Sequence, residues 1–183
     1  MSTIKSKEDG SYVVQNGDLM PMLSDASGLG KSIKPSQLFA LNSSFGALMT
    51  NAGGTVQTPG DTPVLLTAFN INGESSSDVT PNPTNDVLEV ANAGSYAVTA
   101  QFSLTGTVGS TVTFEIYKDI GGTPTNTGIK CVRKLGSSDL GSCSLTGIVA
   151  VSASSDIGIY VSTDGASDDV TIVESQLVIR RVS

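Results

Sequence analysis

The sequence predicts an all-β protein built as a two-sheet antiparallel sandwich, on three observations. The first is period-two alternation. Tyr96, Val98, Ala100, Phe102 and Leu104 all fall on one side of an extended chain, the pattern of a half-buried strand. Just before them, Val87, Glu89 and Ala91 share one face and Leu88 and Val90 the other. Asn92-Ala93-Gly94 then supplies turn chemistry between the two runs. The second observation is recurrence. Strand, turn, strand repeats to the C-terminus, about eight strands in about 120 residues, as a two-sheet sandwich requires. The third is composition. Charged residues make up 15% of the chain and aromatics 5%, with no Trp and no His. Few charges with many Thr, Val and Ile suit strands covered on both faces.

In chain order, residues 1–10 are polar and read as a mobile tail. Residues 11–15 read as a short strand, Asn16-Gly17 as a two-residue hairpin turn, and Asp18 to Leu23 as the return strand. A glycine loop at 28–30 leads to Lys31-Ser32-Ile33-Lys34. Pro35 suits the first turn of a short helix through Leu38 and Leu41. Residues 42–62, rich in Asn, Ser, Gly and Thr, read as a linker whose apolar patch Phe45 to Met49 docks elsewhere. The β domain is predicted over 63–183. Strands are placed at 64–70, at 86–91 and 95–106 around the turn, at 111–118, 128–135, 142–153 and 157–163, and at 170–182. Residues 73–85, with Pro81 and Pro83, are placed in a long polar loop.

Ile148-Val149-Ala150-Val151-Ser152-Ala153 departs from a plain sandwich, because both of its faces are apolar. An outer face without polar residues implies a cover. No helical segment in the chain is long enough to supply one, so a partner subunit is the simplest cover. Val149, Val151 and Tyr160 are the expected contact residues.

Cys131 and Cys143 flank a predicted hairpin around Gly136-Ser137-Ser138. In that register Leu135 faces Asp139, Arg133 faces Gly141 and Cys131 faces Cys143, so a disulfide is geometrically allowed. Two reduced, packed thiols are the favoured reading for a protein made in the cytoplasm.

Several function classes are disfavoured. The formal net charge is −7, which argues against nucleic acid. Residues 1–60 sum to zero and residues 61–183 carry the whole excess. No secretory leader is visible, and no run approaches the roughly 18 apolar residues of a membrane span. Gly28-Leu29-Gly30-Lys31-Ser32 has Asp25 where a phosphate loop needs its first glycine, and Pro35 interrupts the helix that should follow. Asp164, Asp168 and Asp169 offer too few oxygens for calcium, and without His a metal site lacks ligands. The missing His also removes the commonest catalytic base. No nucleophile elbow occurs, and the paired carboxylates lie in loops with no apolar surroundings to tune them. No catalytic, cofactor-binding or metal-binding residue is assigned. Lys118, Lys130, Arg133 and Lys134 read as a solvated basic set.

Residues 61–183 resemble the trimeric jelly-roll domains of the complement and tumour necrosis factor superfamily, in the version found on virus and spore surfaces. The resemblance rests on Val87-Leu88-Glu89-Val90 followed by Gly94-Ser95-Tyr96-Ala97-Val98, and on Val112 to Lys118 with its Ile-Tyr-Lys ending. It also rests on the strand pair from Ile148 to Val161 and on the closing strand Gln176 to Val182. Where the family often has Gly-Asp between the paired strands, this chain has Ser155-Asp156. Residues 12–41 are similar to the N-terminal attachment segments of bacteriophage fibre, collar and head-decoration proteins. The residues concerned are Asp18 to Leu23 with Pro21, Gly28 to Gly30, Lys31-Ser32-Ile33, and Pro35 to Leu38.

The two resemblances imply an all-β antiparallel jelly-roll sandwich, trimeric, with a small N-terminal anchor. Residues 1–41 would be the virion anchor through Val13, Leu19, Met20, Met22, Leu23, Ile33 and Leu38, residues 42–62 a linker, and 63–183 the jelly roll. The implied function is non-enzymatic: a capsid decoration or head-fibre homotrimer, assembled in the host cytoplasm and displayed on the virion. Its partner would be the major capsid protein or another virion protein, with no cofactor, nucleic acid or membrane. The alternative is a tail or collar module that binds host polysaccharide.

Overall fold

Consecutive strands of the jelly roll mostly alternate between two sheets, so most loops cross the sandwich rather than close a hairpin. This is seen in a computed structural model of the chain, which describes residues 44–50, 55–137 and 140–182. Before residue 42 it describes four short strands only. The chain divides into two units, Met1–Leu41 and Asn42–Ser183.

In the first unit β1 (Lys5–Ser6) pairs with β2 (Tyr12–Val13), and β3 (Met22–Ser24) pairs with β4 (Gly30–Ser32), both antiparallel. Most of the return strand expected at 18–23, residues 18–21, lies outside the described residues. Tyr12–Val13 takes its ladder from Lys5–Ser6, within the stretch read as a free tail. Lys31 and Ser32 sit in a strand, which is not where a phosphate loop holds them. The expected helix from Pro35 lies outside the described residues.

The second unit contains β5 (Phe45–Met49), β6 (Thr55–Gln57), β7 (Val64–Leu65), β8 (Ile71–Ser75), β9 (Val79–Asn82) and β10 (Val87–Val90). These are followed by β11 (Gly94–Gly106), β12 (Thr111–Lys118), β13 (Thr125–Lys134), β14 (Gly141–Val151), β15 (Ser155–Thr163) and β16 (Val170–Arg181). One sheet has the order β14-β11-β16-β5-β8, with β6 also on β16. The other has the order β13-β12-β15-β10-β9, with β7 also on β15. The strands are antiparallel throughout.

Three expectations change. The stretch 42–62 is not simply a linker. The alternation in Phe45-Gly46-Ala47-Leu48-Met49 makes a strand that completes the first sheet, with Leu48 opposite Leu177 of β16. The long polar loop at 73–85 contains β9 and part of β8. Pro81 is tolerated because β9 ends its sheet, where one edge needs no donor. The two cysteines do not face each other across a hairpin. β13 and β14 end different sheets, and Cys131 is bonded to Cys143 across the open edge between them, with Cα atoms 6.6 Å apart. The reading of reduced thiols gives way to this bond.

The core fills the space between the sheets. Tyr96, Val98, Ala100, Phe102 and Leu104 all point into it, as the alternation predicts. Phe102 of β11 stacks on Phe114 of β12, ring centroids 4.2 Å apart and planes 8° from parallel, so the pair bridges the sheets. Tyr96 is fully buried, and its hydroxyl donates to the Asn92 carbonyl at 2.9 Å. The polar end of the ring is thereby satisfied within the turn that carries the chain from one sheet to the other.

Asp86 enters β10 with a positive φ of 56°. Its buried carboxylate accepts the Phe69 N–H at 2.8 Å. Burial raises the pKa of this carboxyl, and the backbone N–H groups of Phe69 and Ala68 oppose the rise. The folded state therefore holds the Asp86 proton more tightly than the unfolded chain does. The stability gained is full below the ordinary aspartate value and is lost as pH rises through the folded-state value. Asp164 runs the other way, held low by the Thr111 N–H, so its contribution disappears in acid. Comparison of the wild type with Asp86→Asn isolates the first effect. Urea midpoints measured from neutrality into the aspartate range should rise more for the wild type than for the variant. Parallel curves would show that Asp86 does not carry the difference.

Candidate functional site

The outer face of the β14-β11-β16-β5 sheet is built from residues that alternate with the core. Its register sets them in rows. Ile148, Ala97, Arg180 and Phe45 form one row. Thr146, Thr99, Val178 and Ala47 form the next, followed by Ser144, Gln101, Gln176 and Met49, and then Ser142, Ser103 and Glu174. Arg180 and Glu174 are the two charged side chains in these rows. Ile148 is 67% exposed and Phe45 39%, at the two ends of one row. Hydroxyls in the middle bond to each other and to the sheet. Thr99 and Thr146 lie 3.0 Å apart, and Thr146 donates to the Val98 carbonyl. An open groove of about 580 Å³ lies at one end, between Met49, Gln101, Ser103, Ser144, Glu174 and Gln176. It offers hydroxyls, amides and one carboxylate.

The outer face of the other sheet has a different character. Lys130, Glu115 and Tyr160 are cross-strand neighbours there, with Leu65 beyond Tyr160. Tyr117 stacks on Tyr160 with centroids 4.0 Å apart and planes 20° from parallel, and Asn126 donates to the Tyr117 hydroxyl. Partial burial raises the pKa of the Tyr160 phenol, with Tyr117 and Asp156 adding to the rise.

The expected contact residues do not share one face. Val149 and Val151 are buried in the core of the single chain at 3% and 6% exposure. The residue that β14 turns outward between them and Leu145 is Ile148. Tyr160 lies on the outer face of the opposite sheet. Two-sided apolarity leaves open which side is the inside, and the outer side is exposed in the single chain. Phe45 and Met49 belong to the patch expected to dock elsewhere, and the alternation in 45–49 places Phe45, Ala47 and Met49 on one side; Val178 carries no such signal in the sequence. Of the anchor residues, Val13 lies in β2 and Met22 and Leu23 in β3. Leu19, Met20, Ile33 and Leu38 lie outside the described residues. No group of three or more metal-ligating side chains occurs among the described residues.

No protein-family model matches the chain, and no curated protein matches it. Solved structures do. Murine APRIL is 16% identical with a TM-score of 0.52, over 76% of this chain and 98% of that one. Eiger, a tumour necrosis factor protein from S. frugiperda, is 13% identical with a TM-score of 0.51, over 76% of this chain and 92% of that one. At these identities the likeness is one of fold, and in fold the chain is a jelly-roll sandwich of the tumour necrosis factor type.

Proposed function

We propose that the chain is a non-enzymatic structural subunit. Its jelly roll associates as a homotrimer through the charge-poor outer face of the β14-β11-β16-β5 sheet, and residues 1–41 fix it to a particle. The observation that supports this best is the contrast between the two outer faces. One bears Lys130, Glu115 and a tyrosine pair, as a solvated face does. The other is nearly uncharged, with Ile148 at its edge strand and Phe45, Val178 and Met49 across it. Depletion of charge marks the centre of a contact surface. A ring of three is closed by a heterologous contact, in which two different patches meet. The exposed edge residue Ile148 of one copy is matched to the Phe45–Val178–Met49 patch of the next.

The particle is a bacteriophage virion, in the role of a capsid decoration or head-fibre protein. Support for this comes from the sequence of the first unit, which is similar to phage attachment segments. That unit is too short to bury a core of its own, yet it carries Val13, Leu19, Met20, Met22, Leu23, Ile33 and Leu38. The second reading, a tail or collar module for host polysaccharide, is favoured by the stacked Tyr117–Tyr160 pair, whose partly exposed rings could take a sugar face.

Two measurements test the proposal. Sedimentation of the full chain should give three times the 18.7 kDa mass of one chain. A stable, soluble monomer would end the subunit reading. A chain lacking residues 1–41 should still form the trimer yet fail to bind particles stripped of the native protein. If it decorates them as well as the full chain does, the jelly roll makes the contact and the anchor reading fails.

A further inference from the structure

We propose that the Cys131–Cys143 bond is a redox-responsive lock on the seam between β13 and β14, opened by small thiols without unfolding the sandwich. These strands end different sheets and share no ladder. Each takes its backbone ladder only from its own sheet, β13 from β12 and β14 from β11. What joins them is a seam of alternate β13 side chains. Ile129 packs where a side chain at Gly147 would stand, and Arg133 packs where one at Gly141 would stand. Arg133 also donates from Nη1 to the Ser142 carbonyl at 3.3 Å. Between these two contacts lies the disulfide. Both glycines are needed for the close approach, since a Cβ at either would collide with the side chain across from it.

Two features make the bond a lock on the seam and not a staple of the whole fold. It joins residues only 12 apart, so it restrains less of the unfolded chain than a bond between distant segments would. The stacked core of Phe102 and Phe114 and the ladders of both sheets do not pass through it. Reduction removes one of three seam contacts and leaves the rest of the sandwich paired. Both cysteines are half-buried, not sealed in the core, so a small thiolate can reach the bond.

Arg133 lies on the seam beside the bond, with its Nη1 on the Ser142 carbonyl, and a nearby cation stabilises a departing thiolate. One thiolate of a dithiol bonds to one cysteine sulfur, and the other cysteine leaves as its thiolate. The second thiolate of the reagent then displaces the first cysteine. The products are two protein thiols, after protonation, and one cyclic disulfide of the reagent. One strand of the opened seam, β14, carries Ile148 on its outer face, so on the subunit reading above reduction also weakens association. That last consequence rests on the trimer proposal, while the opening of the seam does not.

The test uses the full chain in native buffer. Dithiothreitol should release two thiols per chain. Amide exchange should quicken in 129–134 and 141–147, while β11 at 96–104 and β16 keep their protection. A monothiol, glutathione, should be trapped as a mixed disulfide on one of the two cysteines. The Cys131→Ser, Cys143→Ser double variant should show the quickened seam without reductant and no further change with it. Any of three results would overturn the lock: no thiol release without denaturant, release with unchanged exchange at the seam, or exchange quickened across the whole chain. Sedimentation of the same samples separates the two readings. A wild type that is monomeric before reduction counts against the trimer and leaves the exchange result to judge the lock.

Discussion

Phe102→Ala is expected to lower stability by about 3–5 kcal/mol. The side chain is 2% exposed and lies flat on Phe114, so its removal leaves a cavity between the sheets and strips one face of the partner ring. Phe102 and Phe114 come from different sheets, so neither ladder can close the gap by sliding one strand. The register of β11 is pinned by β14 on one side and β16 on the other, and a one-residue shift would turn every core side chain outward. Collapse around the cavity is therefore limited, which places the cost toward the upper end for a substitution of this type. For a domain of this size the thermal midpoint should fall by roughly 10 °C. Phe102→Leu should lose much less, because most of the buried carbon is kept. Urea titration of the two variants followed by circular dichroism gives both numbers. An unchanged midpoint for Phe102→Ala would mean that the interlayer stack contributes nothing.

The same side chain shows what could be read from the sequence. Period-two alternation is a local property, and where it was strong the strand and its inner face were legible. β11 and β12 follow it almost residue by residue, and Val112, Phe114 and Ile116 are all buried. Elements held by distant partners were not legible. β5 lies among Asn, Ser and Gly residues and is a strand because β16, at the other end of the chain, pairs with it. β8 and β9 contain Gly73 and Pro81, which read as turn residues, and they persist because they end their sheets and need a ladder on one side only.

Sheet assignment was also hidden. Arg133 was expected opposite Gly141 and Cys131 opposite Cys143, and each pair does meet. The contact runs across the seam between sheets and not along a hairpin. Facing positions alternate with the same period in either case, so spacing alone does not distinguish them. The candidate face was half legible for a related reason. Apolar residues on both sides of 148–151 did not say which side faces the core. The choice of inside came from long-range register, which sets Val149 opposite Tyr96 and Val151 opposite Gly94 with the core behind them.

The largest effect on assembly is expected from Ile148→Asp. Ile148 is 67% exposed in the single chain, so the substitution should leave the fold and its thermal midpoint nearly unchanged. In the proposed trimer the side chain is buried against the nearly uncharged patch around Phe45 and Val178 of the neighbouring copy. A carboxylate placed there is desolvated among apolar side chains; the one cation in the facing rows, Arg180 beside Phe45, is exposed on its own chain, and the desolvation of a buried charge can exceed what one partner returns. A closed ring repeats the contact at each of its three junctions, so one substitution acts three times. The association constant for each junction should fall by about a hundredfold or more, equivalent to roughly 2.7 kcal/mol. Sedimentation equilibrium across a range of concentrations measures this directly. Thr113→Asp, on the outer face of the opposite sheet between Val132 and Ser162, is the matched control and should leave the trimer intact. The reverse outcome, in which Thr113→Asp dissociates the trimer and Ile148→Asp does not, would move the contact to the Tyr117–Tyr160 face. It would also free the β14-β11-β16-β5 face for some other partner.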